Sequence, residues 1–160
     1  MTEKDQILTS EEAGIPSQLA VIIMGSESDL EYAGKIGKVF EKFGVAFELR
    51  VGSAHKTPEH VLSIIRERER DLGGDSQKNK QQIVYIGVAG RSNALGGFID
   101  ANTKFPVINC PPPGEPQTIF SSLDMPSGVG ATTVMYAEAA ALAAVKMFAM
   151  SNSDLAAKIV

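Results

Sequence analysis

The stretch Leu19-Ala20-Val21-Ile22-Ile23-Met24-Gly25-Ser26-Glu27-Ser28-Asp29 decides the fold. From Leu19 to Met24 every residue is apolar, with no polar alternation. A strand covered on one face alternates. A strand buried on both faces does not, and such strands belong to parallel sheets with helices on each side. Gly25 ends the run, and Ser26, Ser28 and Asp29 are residue types that favour helix N-termini. Ala33, Ile36, Val39, Phe40 and Phe43 then recur at helical spacing until Gly44, a helix stop signal. Gly34 and Gly37 weaken that helix by roughly 1 kcal/mol each relative to Ala, which suits a place of close packing.

The same alternation continues down the chain. Val45–Val51 reads as a second strand, with Phe47, Leu49 and Val51 on one face. After a loop at Gly52–Lys56, Thr57 reads as an N-cap with Pro58 at the first helical position, opening a helix to Leu72. Val61, Leu62 and Ile65 point it inward, and its charged far end reads as a solvated face. Gly73 to Gln82 is a polar loop, and Ile83–Val88 a third strand. A helix from the Gly90–Asn93 turn through Lys104 and a short fourth strand at Pro106–Asn109 follow. Cys110 to Gln117 holds four prolines and reads as irregular. A turn at Ser127–Gly130 precedes an Ala-rich helix over Thr133–Met150, and a short helix closes the chain. Strand, loop and helix in repetition predict a single α/β domain over residues 19–160, with a parallel sheet and right-handed crossovers. The polar residues 1–18 read as a flexible tail.

Composition narrows the function. The chain has 160 residues, the size of one domain. Its net charge of −4 lacks the basic footprint of a nucleic-acid binder. A lone Cys110 forms no internal disulfide, and two His with one Cys are poor material for zinc. No basic segment leads into an apolar one at the start, and the Ala-rich helix carries Glu138 and Lys146 and is short for a bilayer. A cytoplasmic protein without membrane partners is expected.

In parallel sheets ligands bind beyond the carboxyl ends of the strands. The loops there are Gly25–Asp29, Gly52–Thr57, Ala89–Asn93 and Cys110–Pro116. The first lacks the glycine spacing of a dinucleotide fingerprint or a P-loop, which disfavours NAD and ATP. Its Ser26 and Ser28 suit a phosphate and its Asp29 suits ribose hydroxyls, although capping alone would explain Ser28 or Asp29. His55, beside Lys56, has the chemistry of a proton carrier near neutral pH, against the plainer reading of a locally bonded loop His. Arg91 offers a fork for phosphate or carboxylate, or is simply a surface Arg near a helix cap. His60 reads as structural, Cys110 as a buried small hydrophobe, and Met125, Met135, Met147 and Met150 as core or interface filling.

Taken together the loops resemble a known family. Met24-Gly25-Ser26-Glu27-Ser28-Asp29, Ser53-Ala54-His55-Lys56-Thr57-Pro58, Ala89-Gly90-Arg91-Ser92-Asn93-Ala94-Leu95 and Ser122-Leu123-Asp124-Met125-Pro126-Ser127-Gly128-Val129 are similar to blocks of the phosphoribosylaminoimidazole carboxylases of purine biosynthesis. One branch of that family rearranges N5-carboxyaminoimidazole ribonucleotide, a mutase reaction. The other carboxylates aminoimidazole ribonucleotide directly with CO2. Lys56 follows the loop His where the mutase branch typically has Arg, and Ala94 stands where that branch has a second His. With Cys110-Pro111-Pro112-Pro113, this resembles the direct carboxylase branch.

The resemblance implies a flavodoxin-like three-layer sandwich and a homo-oligomer, tetramer or octamer, with active sites at subunit interfaces. It implies His55 as catalytic acid–base, and Ser26, Asp29, Ser53, Lys56, Gly90 and Ser92 as ribonucleotide-binding residues, to which the residue chemistry adds Arg91. It implies CO2 as co-substrate and no metal, biotin or ATP. An interface site would also account for the Ala-rich last helix, whose small residues let a neighbouring chain approach. The alternatives are the mutase reaction and a non-catalytic flavodoxin-like nucleotide-binding module. Against such modules, the loops hold neither the acidic cluster and phosphoacceptor Asp of a receiver domain nor aromatics to stack a flavin.

Overall fold

A computed structural model describes residues 16–70, 81–114 and 116–159. Five parallel strands form one sheet in the order β2-β1-β3-β4-β5. They are β1 (Gln18–Met24), β2 (Ala46–Val51), β3 (Gln82–Val88), β4 (Val107–Asn109) and β5 (Thr132–Thr133). The helices are α1 (Leu30–Phe43), α2 (Pro58–Glu69), α3 (Leu95–Asp100), α4 (Pro116–Leu123), α5 (Ala137–Ala149) and α6 (Ser153–Ala157). The tail reading falls mostly on residues 1–15, and the 73–82 loop mostly on residues 71–80, outside the described residues.

The uninterrupted apolar run of β1 is there because both its faces are covered. Ala20, Ile22 and Met24 pack on one side with Ile36 and Phe40 of α1 and the Ala face of α5. Leu19, Val21 and Ile23 pack on the other with Val61 and Ile64 of α2 and Leu95 and Ile99 of α3. The result is the predicted three-layer, flavodoxin-like sandwich. Ile22 and Ile23 are fully buried, each contributing roughly 1.5–3 kcal/mol relative to exposure.

Local signals set the element ends. Gly44 closes α1 in the left-handed region (φ 71°), donating to the Phe40 and Glu41 carbonyls. Gly37 permits the close approach expected of it: a Cβ there would lie 2.7 Å from the Phe47 ring. Gly34 has nothing within 4 Å.

The structure corrects several expectations. Pro116 and Gln117 are not irregular but open α4, because proline's missing N–H costs nothing in a first turn. β5 replaces the start of the Ala-rich helix, since Val134 N–H donates to the Asn109 carbonyl and ties this segment to β4. α3 stops at Asp100 rather than Lys104; the Asp100 carboxylate accepts the Gly130 N–H (2.7 Å), and the Asn102 amide turns back to the Phe98 carbonyl.

The polar residues of β2 are not solvated either. Glu48 and Arg50 are buried beneath the charged end of α2, where Arg68 pairs with Glu48 (2.7 Å) and Arg50 with Glu67 (3.2 Å). The small face of α5, Ala140, Ala141 and Ala144, is consumed within the chain against α1 and the sheet, not left for a neighbour. Met150 is 90% exposed and fills no core. Among the described residues no helix is long and apolar enough to cross a membrane.

Candidate functional site

The strand order reverses between β1 and β3, because the chain leaves β1 toward β2 on one side and returns to β3 on the other. At such a switch point the two following loops diverge and leave a crevice. Here a cleft of roughly 750 Å³ opens between them. Asp29 from the β1 loop and Gly90, Arg91 and Ser92 from the β3 loop line one side, and Pro112, Pro113 and Gly114 after β4 line another. Gln117, Thr118 and Ser121 of α4 form the remaining wall.

In the β1 loop, Ser26 caps a 3₁₀ turn at Glu27–Asp29 that leads into α1. The Ser26 hydroxyl accepts from the Ser28 N–H (3.3 Å), and the two hydroxyls lie 3.0 Å apart. With the Ser28 hydroxyl as donor, both Ser26 acceptor positions are filled and its own O–H remains to donate. Asp29 precedes α1 but its carboxylate makes no capping bond to the helix. Burial raises its pKa above the ordinary 3.8, and a backbone hydrogen bond at Ser26 offsets part of that.

The β2 loop is held by its own hydroxyls. Thr57 occupies the cap position of α2, yet its side chain makes no bond to the helix. Thr57 Oγ1 instead accepts the Ser53 N–H (3.0 Å) and donates to the Ser53 carbonyl (3.4 Å), while Ser53 Oγ accepts the Lys56 N–H (3.2 Å). His55 and Lys56 sit exposed at the apex of this closed turn. Ser26, Ser53, His55 and Lys56 do not line the cleft that Asp29, Gly90, Arg91 and Ser92 share. His60 is half-buried in the first turn of α2.

The β3 loop is the strained one. Arg91 has φ 56° and is the only non-glycine in the left-handed region among the described residues. That conformation costs roughly 1–3 kcal/mol and persists only where surrounding contacts over-determine it. Those contacts come from α4. Ser121 Oγ donates to the Arg91 carbonyl (3.1 Å) and accepts the Asn93 N–H (2.9 Å), and the buried Asn93 amide donates to Ser122 Oγ (2.9 Å). Asn93 is therefore an anchor and not a helix cap. The α4 wall was missing from the sequence reading; Pro116 at a first helical position, followed by Ile119, Phe120 and Leu123 at helical spacing, was the available signal.

Cys110 is buried as expected. Its Sγ lies 3.6 Å from Tyr32 Oη, and burial pushes the thiol up to about 11, away from nucleophile chemistry. Burial likewise raises Tyr32, whose hydroxyl donates to the Met135 carbonyl (3.1 Å).

Comparison with known proteins agrees with this geometry. The sequence model described as AIR carboxylase matches residues 19–160. A phosphoribosylaminoimidazole carboxylase of Archaeoglobus fulgidus is 49% identical over 144 residues, 88% of this chain and 74% of that one. A bifunctional phosphoribosylaminoimidazole carboxylase/phosphoribosylaminoimidazole succinocarboxamide synthetase of Drosophila melanogaster is 43% identical over 84% of this chain, which spans 30% of that longer protein. The crystal structure of Treponema denticola PurE superposes with a TM-score of 0.80 at 41% identity, covering 89% of this chain and 87% of that one. The motif-bearing loops, the 2-1-3-4-5 sheet that positions them and the match over residues 19–160 lead to one assignment: the chain belongs to the AIR carboxylase family.

Proposed function

We propose that this protein is an enzyme of purine biosynthesis that reversibly carboxylates 5-aminoimidazole ribonucleotide with CO2 to the 4-carboxy product. The observation that carries the reading is the convergence of Asp29 with Gly90, Arg91 and Ser92 in one cleft at the sheet's switch point. In it, Asp29 accepts from ribose hydroxyls and Gly90, Arg91 and Ser92 hold the ribonucleotide; Ser26, Ser53 and Lys56 bind it from the neighbouring β1 and β2 loops, outside the cleft lining.

The aminoimidazole carbon is enamine-like and attacks CO2 without activation. The reading assigns CO2 as co-substrate and no part to metal, biotin or ATP. Attack leaves a tetrahedral carbon bearing both its hydrogen and the new carboxylate. His55 removes that proton, the C–H electrons restore the aromatic ring, and the reverse reaction returns the proton. General acid–base help of this kind is worth typically ~10²–10⁴-fold, and positioning CO2 over the ring supplies the rest. Lys56 after His55 and Ala94 in the third loop support the carboxylase over the mutase reaction.

The same reading includes a cytoplasmic homo-oligomer, tetramer or octamer, with sites completed at its interfaces. Its support is the solvent exposure of the His55 turn and the apolar Phe120 and Leu123, 67% and 59% exposed, on the helix that walls the cleft. The test is His55→Asn with each substrate supplied separately. Carboxylation should fall at least ~10²-fold with nucleotide binding retained. Near-normal turnover in that variant sinks the acid–base assignment, and turnover of only the N5-carboxy compound by the wild type moves the protein to the mutase branch.

A further inference from the structure

We propose that Ser121 of α4 is a positioning residue that sets the geometry of the β3 binding loop, an inference that rests on the ribonucleotide reading above. Ser92 lies between two peptide groups that a single hydroxyl joins: Ser121 Oγ accepts the Asn93 N–H (2.9 Å) on one side and donates to the Arg91 carbonyl (3.1 Å) on the other. The hydroxyl has one proton and two possible acceptors, because the Thr118 carbonyl also lies at 3.0 Å. That carbonyl also receives Ser122 Oγ at 2.8 Å, and with two lone pairs it can accept both, so the Ser121 proton is shared between the Thr118 and Arg91 carbonyls while the bond from the Asn93 N–H holds in either case.

The staple closes on a residue that would not choose its conformation. Arg91 is left-handed at φ 56°, between a glycine without neighbours at its Cβ position and the cleft-lining Ser92. One residue further, Asn93 is 1% exposed and bonded to Ser122, so the loop's far end is fixed to the same helix. Removing the Ser121 hydroxyl frees the segment between Gly90 and Asn93 to relax out of the left-handed region. The Arg91 side chain and the Ser92 backbone then leave their places in the cleft. The device acts on binding, since the proton-transfer loop at His55 hangs from a different strand and is closed by Thr57.

The experiment compares wild type, Ser121→Ala, Ser121→Thr and each of the first two in an Arg91→Ala background. In Ser121→Ala the KM for the ribonucleotide should rise about 10-fold or more with kcat within about 3-fold, the mark of lost binding contacts. Ser121→Thr, which keeps the hydroxyl, should recover most of it. In the Arg91→Ala background the effect should shrink, because Ser121 works partly through Arg91.

Hydrogen exchange at the Asn93 amide supplies a readout independent of turnover. It should quicken by about 10-fold in Ser121→Ala while the amides of β1 and β3 stay protected. Unchanged exchange at Asn93, an unchanged KM, or equal effects in both backgrounds overturns the proposal. A wild type that never carboxylates the ribonucleotide overturns the reaction instead, and exchange at Asn93 then decides on its own whether Ser121 holds the loop.

Discussion

The Oδ1 atom of Asn109 occupies the place where any side chain at position 96 would begin. A Cβ built on Gly96 falls on the Asn109 amide, so α3 can lie against β4 only because Gly96 presents a hydrogen there. Asn109 cannot easily yield. It is fully buried, its side-chain amide donates to the Ser122 carbonyl (3.2 Å), and its backbone carbonyl accepts the Val134 N–H. Gly96→Ala should therefore destabilise the fold by about 2–4 kcal/mol, at or above the usual range for overpacking because polar partners are displaced too. Urea denaturation measures it. Adding Asn109→Ala should recover part of the loss, and a double variant as unstable as the sum of the singles would refute the steric account.

The Glu48–Arg68 pair makes a sharper demand. Glu48 is 2% exposed and Arg68 25%. Burial raises the Glu48 carboxyl above its ordinary range despite Arg68 and, more weakly, Arg50, with Glu67 adding to the rise. A folded-state pKa above the unfolded one means that this group's contribution is greatest when it is neutral and is lost as pH rises through the folded value. Arg68→Ala should cost about 2–4 kcal/mol at neutral pH, below the fully buried case because Arg68 is partly exposed. Glu48→Gln in that background should restore much of it. Stability of Arg68→Ala relative to wild type, followed by denaturation from pH 7 downward, should improve as Glu48 protonates.

These two cases show what a one-dimensional reading can see. β1 and β3 were legible because a strand buried on both faces leaves an apolar run that few other environments tolerate. β2 was legible as a strand but not as a doubly buried one, since Glu48 and Arg50 are compensated by α2 residues whose arrival no local pattern announces. α4 hid behind the prolines, and β5 is two threonines with no periodicity at all. Asp29, Gly90, Arg91 and Ser92 were recoverable because strand ends predict where ligand loops gather. Ser121 was not: its partners are backbone atoms of Arg91 and Asn93, and backbone atoms carry no sequence signature.

Asp29 ties binding to pH. As a carboxylate it accepts from ribose hydroxyls in the proposed complex, and burial raises its pKa above 3.8. The acid limb of the KM profile should thus sit higher than for an ordinary aspartate, with KM rising as pH falls and Asp29 protonates. Asp29→Asn should raise KM by about 10–100-fold, the worth of hydrogen bonds to a charged group. Its KM should be flat across the pH range where the wild type changes. A wild-type limb that persists in the Asn variant would assign the titration elsewhere.

Cys110 gives the alkaline counterpart. The thiol is fully buried, and burial lifts its pKa from 9.0 to about 11. The neutral thiol is thus favoured in the folded state. Its contribution is complete below pH 9, the unfolded value, and is lost as pH rises toward the folded value of about 11. A difference of that size is worth ~2–3 kcal/mol. Denaturation of wild type and Cys110→Ala at pH 8 and again near pH 11 reads it together with the rise that Cys110 imposes on its bonded neighbour Tyr32. The wild type should lose about 2 kcal/mol more than the variant over that interval. At neutral pH the same burial predicts that an aromatic disulfide reagent labels Cys110 only as fast as the protein opens. Prompt labelling of the native chain would mean that the thiol reaches solvent without unfolding, which the packing of Cys110 against Tyr32 and the Ala140 face of α5 does not permit.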